Sequence, residues 1–274
     1  MNRFEYDFSF KNKTSFLTGA LLDRFRESAG LLPLKTVLGS SELSAELAIS
    51  FAFGSSRIEG TVLSLMETKT LLTNQGNFPH YKYEDDEKKA ADRRIVINNK
   101  RAFSLVLRSS RCTPAEVDRL QSEVIELLDE PGVRDEKSKV YVPTPGGFYY
   151  PLAADSARIV KEMEKIVTIA QLIKEPFNKS FYLLLNLSYL QAYRDGNKRT
   201  ARVVSALPLF EAGLCPLTYE EVGKQLYDTH VSRFYETGTV DEKFFYLLAD
   251  SYDQTMKRLA ALARVENRMN KDKV

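Results

Sequence analysis

Apolar residues recur along much of this chain with the period of a helix. Over residues 41–72 they stand three to seven positions apart, which predicts an amphipathic helix with one apolar face. The apolar face consists of Leu43, Leu47, Phe51, Ile58, Val62, Leu65 and Leu72. Gly54 and Gly60 interrupt the pattern. Because glycine weakens or ends a helix, either two helices or one bent helix fits this segment.

Similar patterns predict helices over most of the remaining sequence. The predicted segments are 88–107, 113–128, 156–173, 178–193, 198–212, 220–237 and 241–267. Thr113 and Pro114 supply an N-cap and a proline at the first helical position, and Pro208 is expected to kink or shorten its helix. The polar segment 73–86 predicts an exposed loop.

Short β-type runs appear only once in this helical pattern. Residues 139–142 and 148–150 are rich in tyrosine and valine, and they flank the Pro-Thr-Pro-Gly-Gly segment 143–147. This arrangement predicts a β-hairpin flap over 139–150 with a long, mobile tip. The expected fold class is therefore mainly α, or all-α with one β-hairpin, in a domain that follows a helical N-terminal extension.

Composition narrows the class of protein further. The 274 residues contain 39 Lys+Arg and 37 Asp+Glu, so no basic face for nucleic acid is expected. Two distant cysteines do not predict a disulfide scaffold and fit a reducing compartment. No run reaches the ~18 apolar residues that a membrane span needs. Without a signal-peptide pattern at residues 1–13, these features predict a soluble cytoplasmic protein with no membrane contact.

Residues that could bind a ligand are most concentrated in the turn between the helices predicted before and after Gly196. Asp-Gly-Asn at 195–197 is a common interhelical turn, and taken alone it indicates a loop rather than a binding site. However, three cations follow within one helical turn or just beyond it, at Lys198, Arg199 and Arg202. Cations at a helix N-terminus oppose the helix dipole by ~0.3–1 kcal/mol each, and a bound anion offsets this cost. The residues therefore favour a phosphate-type ligand, with Asp195 placed to hold magnesium.

Residues 191–202 resemble the signature of Fic (Fido) domains, H-P-F-x-D/E-G-N-G/K-R-x-x-R. Here the segment reads Gln-Ala-Tyr-Arg-Asp-Gly-Asn-Lys-Arg-Thr-Ala-Arg, which matches from Asp195 onward. The hairpin before the motif and the helical order resemble the family's flap and core, so the resemblance extends from about residue 42 to the end. It implies a Fic-like core over 111–274 and a helical extension over 1–110.

A second motif resembles the family's inhibitory sequence, S/T-x-x-x-E-G/N. It is present as Ser55 to Gly60, with Glu59 at the acidic position, inside the helical segment 41–72. By resemblance, Glu59 pairs with Arg202 and takes the space of the γ-phosphate. A solvated helix glutamate is the alternative for Glu59 considered alone.

Family members typically move AMP from ATP to a hydroxyl side chain of a target protein. The resemblance therefore implies ATP and Mg as cofactors, Asp195 at the metal, and a target bound by the flap through strand addition, with Tyr141 and Tyr149 as candidate contacts. It also implies a homodimer. The phosphate-binding residues implied by the motif are Gly196, Asn197, Lys198, Arg199 and Arg202.

Four positions depart from the commonest form of the motif. Ala192 and Tyr193 replace its proline and phenylalanine, although Tyr193 keeps an aromatic side chain. Lys198 replaces the commoner glycine and resembles the Doc branch, which transfers a phosphate. Gln191 replaces the histidine that takes the proton from the attacking hydroxyl, and an amide is not a base near neutral pH. The only histidines, His80 and His230, are expected to be surface or packing residues.

Three hypotheses follow from these departures. The first is a nucleotide-binding Fic-like protein with impaired or altered adenylyltransferase activity. The second is an active transferase that uses another base or relies on positioning and magnesium alone; a Doc-like phosphotransferase is a separate alternative. The third is a non-catalytic module that binds a partner through the flap. The segment Asp195–Arg202 favours the first over the third, and Gln191 favours the first over the second.

Overall fold

The computed structural model describes residues 2–73, 87–109, 111–138 and 140–271. Within them the chain is mainly α-helical and has one three-stranded sheet, which confirms the fold class predicted from the sequence. The first six helices are α1 (Gly19–Gly30), α2 (Leu34–Leu38), α3 (Ser41–Glu59), α4 (Leu65–Thr73), α5 (Glu87–Val106) and α6 (Pro114–Val124). The other six are α7 (Ser156–Leu172), α8 (Pro176–Leu190), α9 (Asn197–Val204), α10 (Leu207–Glu211), α11 (Lys224–Thr237) and α12 (Glu242–Lys271). The strands are β1 (Asn2–Glu5), β2 (Val142–Thr144) and β3 (Gly147–Tyr150).

The segment 41–72 forms two helices, one of the two arrangements that fit its pattern. Gly60 ends α3 in the left-handed conformation, with φ of 90°, where glycine has no Cβ penalty. Gly54 lies inside α3 against the backbone of Thr218, and a Cβ there would come 1.9 Å from the Thr218 carbonyl oxygen. The C-terminal half of α3 is therefore held tightly against the core.

Helix α8 is the central element of the fold. Proline occupies its first turn, and the Glu175 side chain accepts a hydrogen bond from the Asn178 N–H. From Phe177 to the end of the helix, every residue except Lys179 is buried. A helix that is apolar on all sides belongs inside a core. It packs closely against α9, and six residues separate the two helices.

The sheet has the order β1-β3-β2, and it corrects two expectations about the flap. The hairpin tip is a tight two-residue turn, Pro145–Gly146, because Thr144 pairs with Gly147. The fixed φ of proline suits the first turn position, so proline does not lengthen this loop. Strand β1, which the sequence pattern did not indicate, pairs in parallel with β3.

Several predicted boundaries also shift. Helix α6 ends at Val124 rather than at 128, and Leu127 lies at φ of 60°. The predicted helix 198–212 is divided into α9 and α10, with Pro208 in the first turn of α10. The predicted loop lies almost wholly at 74–86, outside the described residues, as does His80.

One apolar cluster contains buried residues from both sides of the predicted domain boundary at residue 110. Phe51 of α3 stacks on Phe103 of α5 at 4.6 Å and also meets Tyr219 at 6.3 Å. The division into an extension and a core stays a prediction. Both cysteines are free and buried, and no helix in the described parts of the chain is long and apolar enough to cross a bilayer.

Candidate phosphate site at the start of helix α9

The turn between α8 and α9 is fixed by side chains that bond to its backbone. The Asn197 amide accepts a hydrogen bond from the Tyr193 N–H at 3.0 Å and donates to the Tyr193 carbonyl at 2.8 Å. Buried Arg134 donates through Nε to the Gln191 carbonyl at 2.5 Å, and its own N–H donates to the Ala192 carbonyl at 2.9 Å. Asn197 thus lines the turn, and Arg134, which the sequence did not single out, braces it.

Gly196 is required where α9 begins. Its φ is 79°, and a Cβ would lie 2.6 Å from the Ile125 side chain. Its carbonyl accepts the first intrahelical bond, from the Thr200 N–H at 2.8 Å. The next N–H groups of α9 therefore begin a helix without intrahelical acceptors, as at any helix start.

We expect Gly196→Ala to lower the free energy of unfolding by about 1–3 kcal/mol, because the new methyl group adds both left-handed strain and a core clash. Urea unfolding followed by circular dichroism measures this change. The control is Gly132→Ala, where φ is also positive, at 113°, but no atom lies within 4 Å of the new Cβ. Equal losses in both variants would show that the clash with Ile125 contributes nothing.

The two arginines of the motif point inward and meet one carboxylate. Arg199 is 3% exposed and Arg202 is fully buried. Glu59 Oε1 lies 2.5 Å from Arg202 Nη2, and Glu59 Oε2 lies 3.6 Å from Arg199 Nε. The last turn of α3 thereby places Glu59 between two cations from α9.

Ser55 completes this contact from the preceding turn of α3. Its hydroxyl accepts a hydrogen bond from Arg202 Nε at 3.0 Å, and its carbonyl accepts one from Nη2 at 3.1 Å. Burial lowers the pKa of Arg202, but the Glu59 carboxylate and the nearby Tyr227 outweigh that effect and raise it overall. The guanidinium is therefore a fixed positive charge in a site with little water.

The site keeps donor atoms that Glu59 does not satisfy. Arg202 Nη1 and Arg199 Nε are buried and make no hydrogen bond, and Glu59 Oε2 stays 3.6 Å from Arg199 Nε. Arg202 also lies over the Tyr227 ring, 5.2 Å from its centroid. Buried guanidinium donors without acceptors are unusual, and they match an anion with several oxygens, such as a phosphate.

Asp195 lies at the open side of this arrangement. Its side chain is 51% exposed, and Oδ2 lies 2.5 Å from Arg199 Nη2. One accessible carboxylate suits magnesium that takes its other ligands from water and substrate phosphates. Among the described residues, no group of three or more His, Cys, Asp or Glu side chains could hold a metal without such help.

Lys198 is directed to a different partner. Its ammonium lies 2.5 Å from Asp228 Oδ1, and Lys224 lies 2.8 Å from Asp228 Oδ2. Burial raises the pKa of Asp228, but the two lysines outweigh it and hold the pKa below its usual value. Sequence reasoning missed Asp228 and Lys224, for which the only signal was their i, i+4 spacing on α11.

Gln191 caps α8 in the left-handed conformation, with φ of 48° and ψ of 51°. The residue is 5% exposed, and Nε2 donates to the Ser188 carbonyl at 2.6 Å. His230 of α11 packs against the Phe244 ring of α12, with centroids 5.4 Å apart. In the described parts of the chain, no histidine takes the place of Gln191.

Of the two flap tyrosines predicted to contact a target protein, only Tyr141 is exposed. Tyr141 is 59% exposed, whereas Tyr149 is fully buried and its hydroxyl donates to the Tyr189 carbonyl at 2.7 Å. The expectation that Tyr149 lies at a target surface is wrong for this structure, because β3 turns that side chain toward α8. A cleft of about 780 Å³ lies beside the exposed face of the flap rather than at the motif.

Comparison with known proteins gives a family match for the middle of the chain. The profile of the Fic/DOC family matches residues 111–209, which include the hairpin and the α8–α9 turn. No curated protein matches the sequence significantly.

Solved structures show the same fold. Fic-1 from C. elegans is 17% identical with a TM-score of 0.61, and the match covers 88% of this chain and 69% of that chain. A Fic family protein from Desulfovibrio desulfuricans G20 is 14% identical with a TM-score of 0.60, covering 93% and 76%. A Fic domain containing signaling protein from Bacteroides thetaiotaomicron VPI-5482 is 16% identical with a TM-score of 0.60, covering 89% and 94%. Residues 111–209 therefore match the Fic/DOC family, and the chain as a whole shares the fold of these solved Fic proteins.

Proposed function

We propose that this protein binds the phosphates of Mg-ATP at the start of α9, that Glu59 closes the site, and that transfer of AMP to a target hydroxyl is impaired by Gln191. The observation that carries the proposal is the position of Glu59 between Arg199 and Arg202. A carboxylate there neutralises cations that would otherwise face a phosphate. It also repels an incoming anion.

The residues present fit the phosphates of a nucleoside triphosphate. Two buried guanidinium groups retain unpartnered donors, and the first turn of α9 adds backbone N–H groups. When bound, Mg-ATP would supply the activated phosphate group, with Asp195 as the protein ligand to the metal. Asp195 bonds to Arg199 through Oδ2, so a metal would either meet its other oxygen or compete with this ion pair.

In this proposal, the chain's own residues bind the phosphates but make transfer slow. They hold phosphate charge through Arg199 and Arg202, but Gln191 offers only an amide to the attacking hydroxyl. Loss of a positioned general base costs a rate factor of ~10²–10⁴, so electrostatic stabilisation alone leaves residual activity.

The Doc-like alternative rests on Lys198. In this structure the Lys198 ammonium is paired with Asp228 rather than directed at the site formed by the two arginines. Labelling ATP separately on its α- and γ-phosphates distinguishes transfer of AMP from transfer of phosphate. A non-catalytic module would show neither transfer nor nucleotide binding.

The metal role of Asp195 gives a direct test. In the Glu59→Gly background, we expect magnesium to tighten ATP binding by about tenfold, and Asp195→Asn to remove most of that gain, since charge-assisted contacts contribute ~1.5–3 kcal/mol. Titration calorimetry with ATP in magnesium and in EDTA measures the difference.

The matched control is Asp23→Asn, an exposed carboxylate on α1 that pairs with Arg26 at 3.5 Å. It should keep the full magnesium effect. An unchanged magnesium effect in Asp195→Asn would remove Asp195 from the metal site.

A further inference from the structure

Strand β1 is hydrogen-bonded to the outer edge of the flap strand β3. Asn2 to Glu5 pair one to one and in parallel with Gly147 to Tyr150. The approach at the first pair is close, because a Cβ on Gly147 would lie 2.0 Å from the Asn2 carbonyl oxygen. The chain's own N-terminal segment therefore occupies the hydrogen-bonding edge of β3.

The opposite edge of the hairpin suits a partner strand poorly. Pro143, in the middle of β2, has no N–H to donate. Helix α11 packs against β2, and the Gly146 N–H donates to the Glu236 carboxylate at 2.6 Å. Of the two hairpin edges, the one beneath β1 is therefore the better place for an added strand.

The side chains of β1 contribute little to holding it there. Asn2, Arg3 and Glu5 are exposed, and only Phe4 is half-buried. The Arg3–Glu5 ion pair is 66% and 69% exposed, and such pairs stabilise a fold weakly. Two side chains of β1 reach the flap or the core: Arg3 lies over the Tyr150 ring, 4.4 Å from its centroid, and Phe4 packs against the core beside Gly146.

The residues immediately after β1 are anchored much more firmly. The Tyr6 ring stacks on Tyr189 with centroids 4.7 Å apart, and the Asp7 N–H donates to the Tyr189 hydroxyl at 2.7 Å. Lys11 lies 2.7 Å from Glu162, and both side chains are nearly buried. A weakly held strand of four residues is thus joined to a fixed anchor at Tyr6.

We propose that β1 is an exchangeable strand that reserves the β3 edge, and that a partner segment docks on the flap by replacing it in the same parallel register. The inference rests on the proposed function only in taking that partner to be the target of the Fic-type site. The partner that fits is an extended segment with an aromatic residue in the place of Phe4, on the Tyr149 side, and a cation in the place of Arg3, over Tyr150.

A partner strand has to compete with β1 for the edge of β3, and β1 has the advantage of being part of the same chain. A segment joined to its site by a short link acts at an effective concentration of about 1 mM. A free strand with a dissociation constant of about 100 μM would therefore bind the intact chain roughly tenfold more weakly than a chain without β1. Docking is favoured only for partners that form more contacts than β1 does.

The test uses a fluorescently labelled peptide with the sequence of residues 2–5 and a deletion of the same residues from the full chain. Fluorescence anisotropy should show binding to the deletion variant at least about tenfold tighter than to the intact protein. The same peptide with proline at the Phe4 position should bind neither, because proline removes a backbone donor. No nucleotide is added, so the result is independent of ATP binding.

The proposal would be overturned if a deletion variant with native circular dichroism bound the peptide no more tightly than the intact protein, or not at all. It would also be overturned if the proline peptide bound as tightly as the unaltered peptide.

Hydrogen exchange on the intact protein supplies a second measurement that needs no variant. Amides of β3 should exchange faster than those of α8, through local opening. Exchange of β3 amides only with global unfolding would show that β1 is a permanent strand.

Discussion

The double variant Glu59→Gly/Gln191→His is expected to label itself with AMP from ATP about 10²- to 10⁴-fold faster than Glu59→Gly alone. A histidine at the end of α8 would supply a base with a pKa near neutral at the position where the chain now has an amide. The backbone suits the change, because histidine tolerates the left-handed region better than most residues and Gln191 lies at φ of 48°. Incorporation of α-phosphate label into the protein measures the rate.

Two controls isolate the general base in this experiment. Gln191→Asn, in the same Glu59→Gly background, keeps an amide and should not raise the rate. Adding Asp195→Ala to the double variant should abolish the gain. A rate that does not change with Gln191→His would show that the missing base is not what limits transfer, and incorporation of γ-label instead would support the phosphotransferase alternative.

Glu59→Gly is expected to make the protein less stable without ligand and more responsive to Mg-ATP. Arg202 is fully buried, so removing its carboxylate partner costs about 3 kcal/mol, the lower end for buried pairs, because Glu59 is 22% exposed. The same change frees both arginines for phosphate. Differential scanning fluorimetry should therefore show a lower Tm for the free variant and a larger rise with Mg-ATP than in the native protein.

Two further variants separate charge from helix effects. Glu42→Gly places the same substitution in the exposed first turn of α3, and it should leave the response to Mg-ATP at the native level. Glu59→Gln removes the charge but keeps most of the volume, so it should give an intermediate response. A native response in all three variants would remove Glu59 from control of the site.

Local signals in the sequence predicted the parts of the site that depend on neighbouring residues. Gly60 marked the end of α3, and the cations after Gly196 marked the start of α9, because glycine conformation and helix-end charge are local properties. The mainly α fold followed from helical periodicity in the same way.

Features that depend on long-range packing could not be predicted. Residues 148–150 are all aromatic, so their pattern does not show which side chains of the strand face the core. The burial of Tyr149 follows only from the packing of β3 against α8. Strand β1 lacks an alternating apolar pattern and forms by backbone pairing with residues about 145 positions away. Asp228 joins Lys198 only after α11 packs beside α9.

Calorimetric titration of Mg-ATP into the native protein, Glu59→Gly and Glu42→Gly tests most directly whether Glu59 closes a phosphate site. The account predicts that Glu59→Gly binds about 5- to 150-fold more tightly than the other two, which is the usual range of coupling between an inhibitory contact and a ligand. Equal affinity in all three proteins would contradict control by Glu59. The absence of binding in all three would contradict the phosphate site itself.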